Sequence, residues 1–133
     1  MKIAGIVQDG ENNANVWLHR FADVYRAWLN TPIYPGSLNL NTGKAFDWNA
    51  TALTDYRKTF SLRPHGGERE IYIIPCRIIL PVEQSAYLWT TTTAAANRED
   101  PEVIELIANG CLRSSLKLST GSRVEIDYPI NWG

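Results

Sequence analysis

The sequence predicts a mostly β fold with short helices, a small barrel carrying helical insertions. Three observations lead there. Short runs rich in β-branched and aromatic residues recur from Ile3 to Val7, Ile71 to Leu80, Tyr87 to Thr93 and Arg123 to Tyr128, separated by turn-forming residues. Helical spacing of apolar residues shows in two short segments, 21–29 and 111–118. The 133 residues are 44% hydrophobic and 20% charged, enough to enclose one core and too apolar for a disordered chain.

Ile3 to Val7 reads as the first strand. The polar run Gln8-Asp9-Gly10-Glu11-Asn12-Asn13 behind it offers nothing to a core and reads as an exposed loop. Phe21, Val24, Tyr25, Trp28 and Leu29 then form the apolar stripe of an amphipathic helix, which Asn30-Thr31-Pro32 should end. Pro35-Gly36 makes a tight turn into a strand from Ser37 to Leu40. Alternation puts Ser37 and Asn39 on one face of that strand and Leu38 and Leu40 on the other, toward the core. Asn41-Thr42-Gly43-Lys44 is a turn. Residues 45–69 contain Trp48, Tyr56 and Phe60 without a clear period, and Pro64-His65-Gly66-Gly67 marks a loop.

Ile71 to Leu80 is a strand, or a hairpin bent at Pro75. Tyr87-Leu88-Trp89 and the following four threonines form another strand. After the polar break Asn97-Arg98-Glu99-Asp100-Pro101, the run from Val103 to Ala108 fits either a helix capped by Asp100 or a strand, and is too short for periodicity to decide. Leu112, Leu116 and Leu118 indicate a short helix over 111–118. Gly121 turns the chain, and 123–128 alternates as a closing strand. With no repeat and no linker, residues 1–133 read as a single domain.

The net charge of −1 leaves no footprint for nucleic acid, and no apolar run reaches the length of a membrane span. The N-terminus lacks the long apolar stretch of a signal peptide, so a soluble, cytoplasmic protein is expected. Cys76 and Cys111 lie far apart in apolar or mixed surroundings and read as two buried free thiols. His19 and His65 have no Cys or carboxylate at metal-ligand spacing, and no glycine-rich run ends in a phosphate-binding Gly-Lys-Ser/Thr. The pair that stands out is Ser37 and Asn39, a hydroxyl and an amide oxygen side by side at a turn, which can hold a hard cation or a phosphate.

Taken in order, the loop with Gly10-Glu11, the helix, Pro35-Gly36-Ser37-Leu38-Asn39-Leu40, Glu105-Leu106-Ile107-Ala108, Leu112-Arg113 and Gly121 form a pattern. It resembles the archaeal CTP-dependent riboflavin kinases, whose motifs are a Gly-x-Gly-Glu-Gly loop, Pro-Gly-Thr-Leu-Asn, Glu-Ile-Ile-Ala-Pro, Leu-Arg and a Gly-Asp turn. The resemblance spans nearly the whole chain, and Pro-Gly-Ser-Leu-Asn is its most specific part. It implies a six-stranded cradle-loop barrel that moves the γ-phosphate of CTP, or another nucleoside triphosphate, to the ribityl 5′-hydroxyl of riboflavin, giving FMN and CDP.

The resemblance assigns Mg²⁺ to Ser37 and Asn39. It assigns the nucleotide to Gln8, Asp9, Gly10, Glu11, Asn12 and Asn13 and to Gly110, Cys111, Leu112 and Arg113. The flavin nucleotide falls to Glu105 and a threonine of the 90–93 run, for which Thr93 is the choice. Glu105 would orient the attacking hydroxyl or accept its proton. Gln8 and Asn12 stand where the family has glycines, Asn109 replaces its proline and Ser122 its turn acid. The competing expectation is a non-catalytic flavin- or nucleotide-binding module on the same barrel. Oligomeric state has no signature in the sequence.

Overall fold

A computed structural model describes residues 1–10, 13–97 and 99–132. The strands are β1 (Lys2–Gln8), β2 (Leu38–Asn41), β3 (Lys58–Ser61), β4 (Glu70–Leu80), β5 (Gln84–Thr91), β6 (Val103–Ile107) and β7 (Arg123–Asp127). The helices are α1 (Asn13–Arg20), α2 (Ala22–Leu29), α3 (Thr92–Asn97) and α4 (Leu112–Ser115). Pairing runs β4-β5-β6-β2-β1-β7, and β7 pairs back onto β4, closing a six-stranded antiparallel barrel to which β3 adds one further strand along β4. Closure leaves the six barrel strands with no free edge over their paired lengths.

Alternation along the strands creates two apolar layers. Leu38, Leu40, Ile74, Ile78, Leu88, Ile104, Leu106, Val124 and Ile126 point inward and fill the barrel. Ile71, Ile73, Trp89 and Ile107 point outward, where Leu18, Phe21, Tyr25 and Leu29 of α1 and α2 cover them. The helical pair is thus a lid on one outer wall of the barrel. Its buried Tyr25 hydroxyl accepts a 2.8 Å hydrogen bond from Trp89 Nε1, and burial pushes the Tyr25 pKa up to about 12.

β4 is one strand of 11 residues and does not break at Pro75. On its far edge β3 pairs with 70–73 and β7 with 77–80, so Pro75 falls where one partner has ended and the other has not begun. Its carbonyl, on that edge, accepts from Ile130 N at 2.9 Å, and no strand there needs the N–H that proline lacks.

Several expectations need correction. The segment before Phe21 is helical: α1 precedes α2 and takes up Asn13, the end of the presumed loop. It shows no stripe because Val16 and Trp17 are 64% and 42% exposed while only Ala14 and Leu18 are buried. Among the described residues four short helices form, not two. The threonine run continues β5 through Thr91 and no further: Thr92 and Thr93 open α3, where Thr91 Oγ1 accepts from Ala94 N at 3.1 Å and three alanines follow. Val103–Ile107 is a strand, held by β2 on one side and β5 on the other. Asp100 sits at φ 42°, outside the geometry of a helix cap. Only one thiol is buried, that of Cys76; Cys111 is partly exposed. Among the described residues no helix is long and apolar enough to cross a membrane.

Candidate functional site

Register aligns the site. Gln8 of β1 pairs with Asn39 of β2, Asn39 with Glu105 of β6, and Glu105 with Trp89 of β5. These four residues make one row across the outer wall, beside the apolar patch under α1 and α2. Ser37, at the mouth of β2, joins the row because it lies two residues before Asn39 on the same face. Its Oγ donates to Glu105 Oε1 at 2.9 Å. With its amide oriented to satisfy both neighbours, Asn39 donates Nδ2 to the same Glu105 oxygen at 3.3 Å and accepts from the Gly10 N–H at 3.2 Å. A Cβ at Gly10 would collide with the Asn39 amide, so the loop can approach this closely only as glycine. Gly36 is similarly confined, its Cα facing the Tyr34 ring and Asn15 Oδ1. Burial raises the Glu105 carboxyl above the ordinary glutamate range, and the Ser37 hydrogen bond opposes this in part.

A second cluster lies at the end of β1. Arg113, in α4, donates Nη2 to Asp9 Oδ1 at 2.9 Å and to the Gln8 carbonyl at 3.4 Å, and Nη1 to Thr120 Oγ1 at 3.5 Å. Thr120 Oγ1 donates to the same Asp9 oxygen at 2.9 Å. The Thr120 and Arg113 hydrogen bonds hold the Asp9 carboxyl below the usual carboxylate range. The first loop and the Gly110–Arg113 segment therefore meet in space, Arg113 reaching Asp9 across 104 positions of sequence.

Other assigned residues fall differently. Leu112 is buried in the barrel core, so it can offer a ligand only backbone. Cys111 Sγ accepts from Ser114 Oγ at 3.4 Å, and Ser114 draws the thiol pKa down. Gly110 is partly exposed beside it. Thr93 is exposed on α3 and accepts from Arg69 at 3.4 Å, apart from the Ser37–Asn39–Glu105 group. Glu11 and Asn12 lie outside the described residues, and Asn13 enters as the first residue of α1.

A pocket of about 180 Å³ opens near the other end of β6, lined among others by Phe46, Trp48, Thr90, Ala94 and Val103. Val103 lies two residues before Glu105 on the same strand face, roughly 7 Å along β6. Trp89, Thr120 and this pocket had no sequence signal. Their roles depend on register between distant strands, and residues 45–69, which supply Phe46 and Trp48, carry no clear period.

Ser37 and Glu105 present oxygen to one another, whereas Asn39 directs its amide nitrogen at Glu105 and its oxygen at the Gly10 N–H; a hard cation would need the Asn39 amide turned over to complete an oxygen set. Ser37 gives its proton to Glu105 and keeps lone pairs for a metal. Among the described residues no three His, Cys, Asp or Glu side chains gather into a metal cage. Mg²⁺ needs no such cage when phosphates and water complete its shell, so the residues present fit it. Comparison with protein-family models and with curated proteins found no match to this chain.

Proposed function

We propose that the protein is a Mg²⁺-dependent riboflavin kinase that uses CTP or another nucleoside triphosphate. The observation that carries this reading is the convergence of Ser37 and Asn39 on one oxygen of Glu105, with Gly10 of the first loop against Asn39. A hydroxyl–amide pair, a half-buried carboxylate and a loop backbone meet at one point, an arrangement that supports a phosphoryl-transfer centre.

Ser37 and Asn39 hold Mg²⁺, which supplies charge neutralisation to the phosphates when bound. Arg113 and the backbone of the first loop bind the phosphate chain. The flavin ring takes the pocket at Phe46, Trp48 and Val103, and the ribityl chain runs along the β6 face to Glu105. The 5′-hydroxyl oxygen forms a bond to the γ-phosphorus as the bond to the β,γ-bridging oxygen breaks. CDP leaves, and the hydroxyl proton passes to Glu105. Desolvation makes that carboxylate a better base than an exposed one.

The alternative, a flavin- or nucleotide-binding module without turnover, draws on one observation: an acid, Asp9, sits where phosphate would approach and already pairs with Arg113. Replacing the metal ligand discriminates. Asn39→Ala should abolish Mg²⁺-dependent FMN formation while the circular dichroism spectrum stays that of the parent. Ordinary activity in the variant would put the metal elsewhere.

A further inference from the structure

We propose that Asp9 competes with phosphate for Arg113 and thereby selects polyphosphates over singly phosphorylated ligands. The inference rests on the nucleotide reading of this site and goes beyond it by giving one residue control of which phosphates enter. Arg113 presents Nη2 to a single carboxylate oxygen of Asp9, and Thr120 Oγ1 donates to that same oxygen. A guanidinium nitrogen and a hydroxyl converging on one oxygen are what a phosphate oxygen would also find there. Asp9 is thus an internal anion in an anion seat.

The seat is firm and its occupant is not. Val7 and Ser119–Ser122 are locked together by Gly121 N to Val7 O and Val7 N to Ser122 O, both 2.8 Å. The Arg113 side chain is 38% exposed, whereas that of Asp9 is 78% exposed and can swing into water. Exposed pairs of this kind are weak, so displacing Asp9 costs little. A ligand with one phosphate gains from Arg113 about what Asp9 gave up. A di- or triphosphate that also reaches the Ser37–Asn39 metal gains enough to displace it.

Calorimetric titration of magnesium tripolyphosphate and of inorganic phosphate into the purified protein tests this. Asp9→Asn should bind both more tightly, by about two- to fivefold, and inorganic phosphate should gain at least as much as tripolyphosphate. In an Arg113→Ala background the gain from Asp9→Asn should largely disappear. Unchanged or weaker binding by Asp9→Asn overturns the competition, as does a gain of the same size without Arg113, which would be simple charge repulsion. Binding of tripolyphosphate by neither parent nor variant overturns the nucleotide reading together with it. Binding by both at equal strength overturns the competition alone.

Discussion

Glu105 is held by Ser37 and Asn39 in a half-buried position that raises its pKa, and this has two consequences of definite sign. The folded protein binds the Glu105 proton more tightly than the unfolded chain does. The stability from this group is therefore full below the ordinary glutamate range and is lost as pH rises through the folded value. Glu105→Gln removes that loss. Its melting temperature should exceed the parent's at neutral pH, and the two should converge toward about pH 4. FMN formation should fall in the variant by on the order of 10²–10⁴-fold. In the parent, the acid limb of the rate should lie above an ordinary glutamate pKa, because lowering the pH protonates the base. An undiminished rate in Glu105→Gln would remove the base role. Strand alternation made Ser37 and Asn39 legible as a pair, since their shared face follows from a spacing of two. Thr120 was not legible: a lone hydroxyl acquires a role only when β7 lies beside β1 and brings the preceding turn to Asp9.

At the scale of elements, the junction of β1 with its loop and β2 sets the geometry. Gly10 can lie against Asn39 because it has no Cβ. Gly10→Ala should push the loop from Asn39 and lower FMN formation by on the order of 10²-fold, as a displacement of about 1 Å at a reacting centre does. The melting temperature should change little, because Gly10 is exposed. Parent-like turnover would show that the loop does not need this approach. β1, α2, β2 and β7 were readable because each carries a clean period or a turn signal, whereas the helix read over 111–118 is only the single turn of α4, which ends before Leu116. α1 was hidden by its exposed Val16 and Trp17, and α3 by threonines that favour strands until a cap and an alanine run tip them into a helix. The segment from Val103 was ambiguous locally and is decided by its two neighbours, β2 and β5.

For the whole molecule, closure of β7 onto β4 matters most. Ile78 lies opposite Ile126 across that seam, and both are fully buried. Closure fixes the curvature that lets Gln8, Asn39, Glu105 and Trp89 stand in one row on the outer wall, with the helical lid on one side and the Phe46–Trp48 pocket toward the end of β6. A barrel was legible from many short strands in a chain of this size, but its strand order was not, because pairing between distant segments leaves no local pattern. The most direct measurement is FMN produced from riboflavin and Mg²⁺ by the purified protein with each of the four nucleoside triphosphates in turn. A riboflavin kinase should give FMN in stoichiometric step with loss of the γ-phosphate from at least one of them. No FMN with any of the four, while riboflavin still binds, would contradict it and leave the barrel as a binding module.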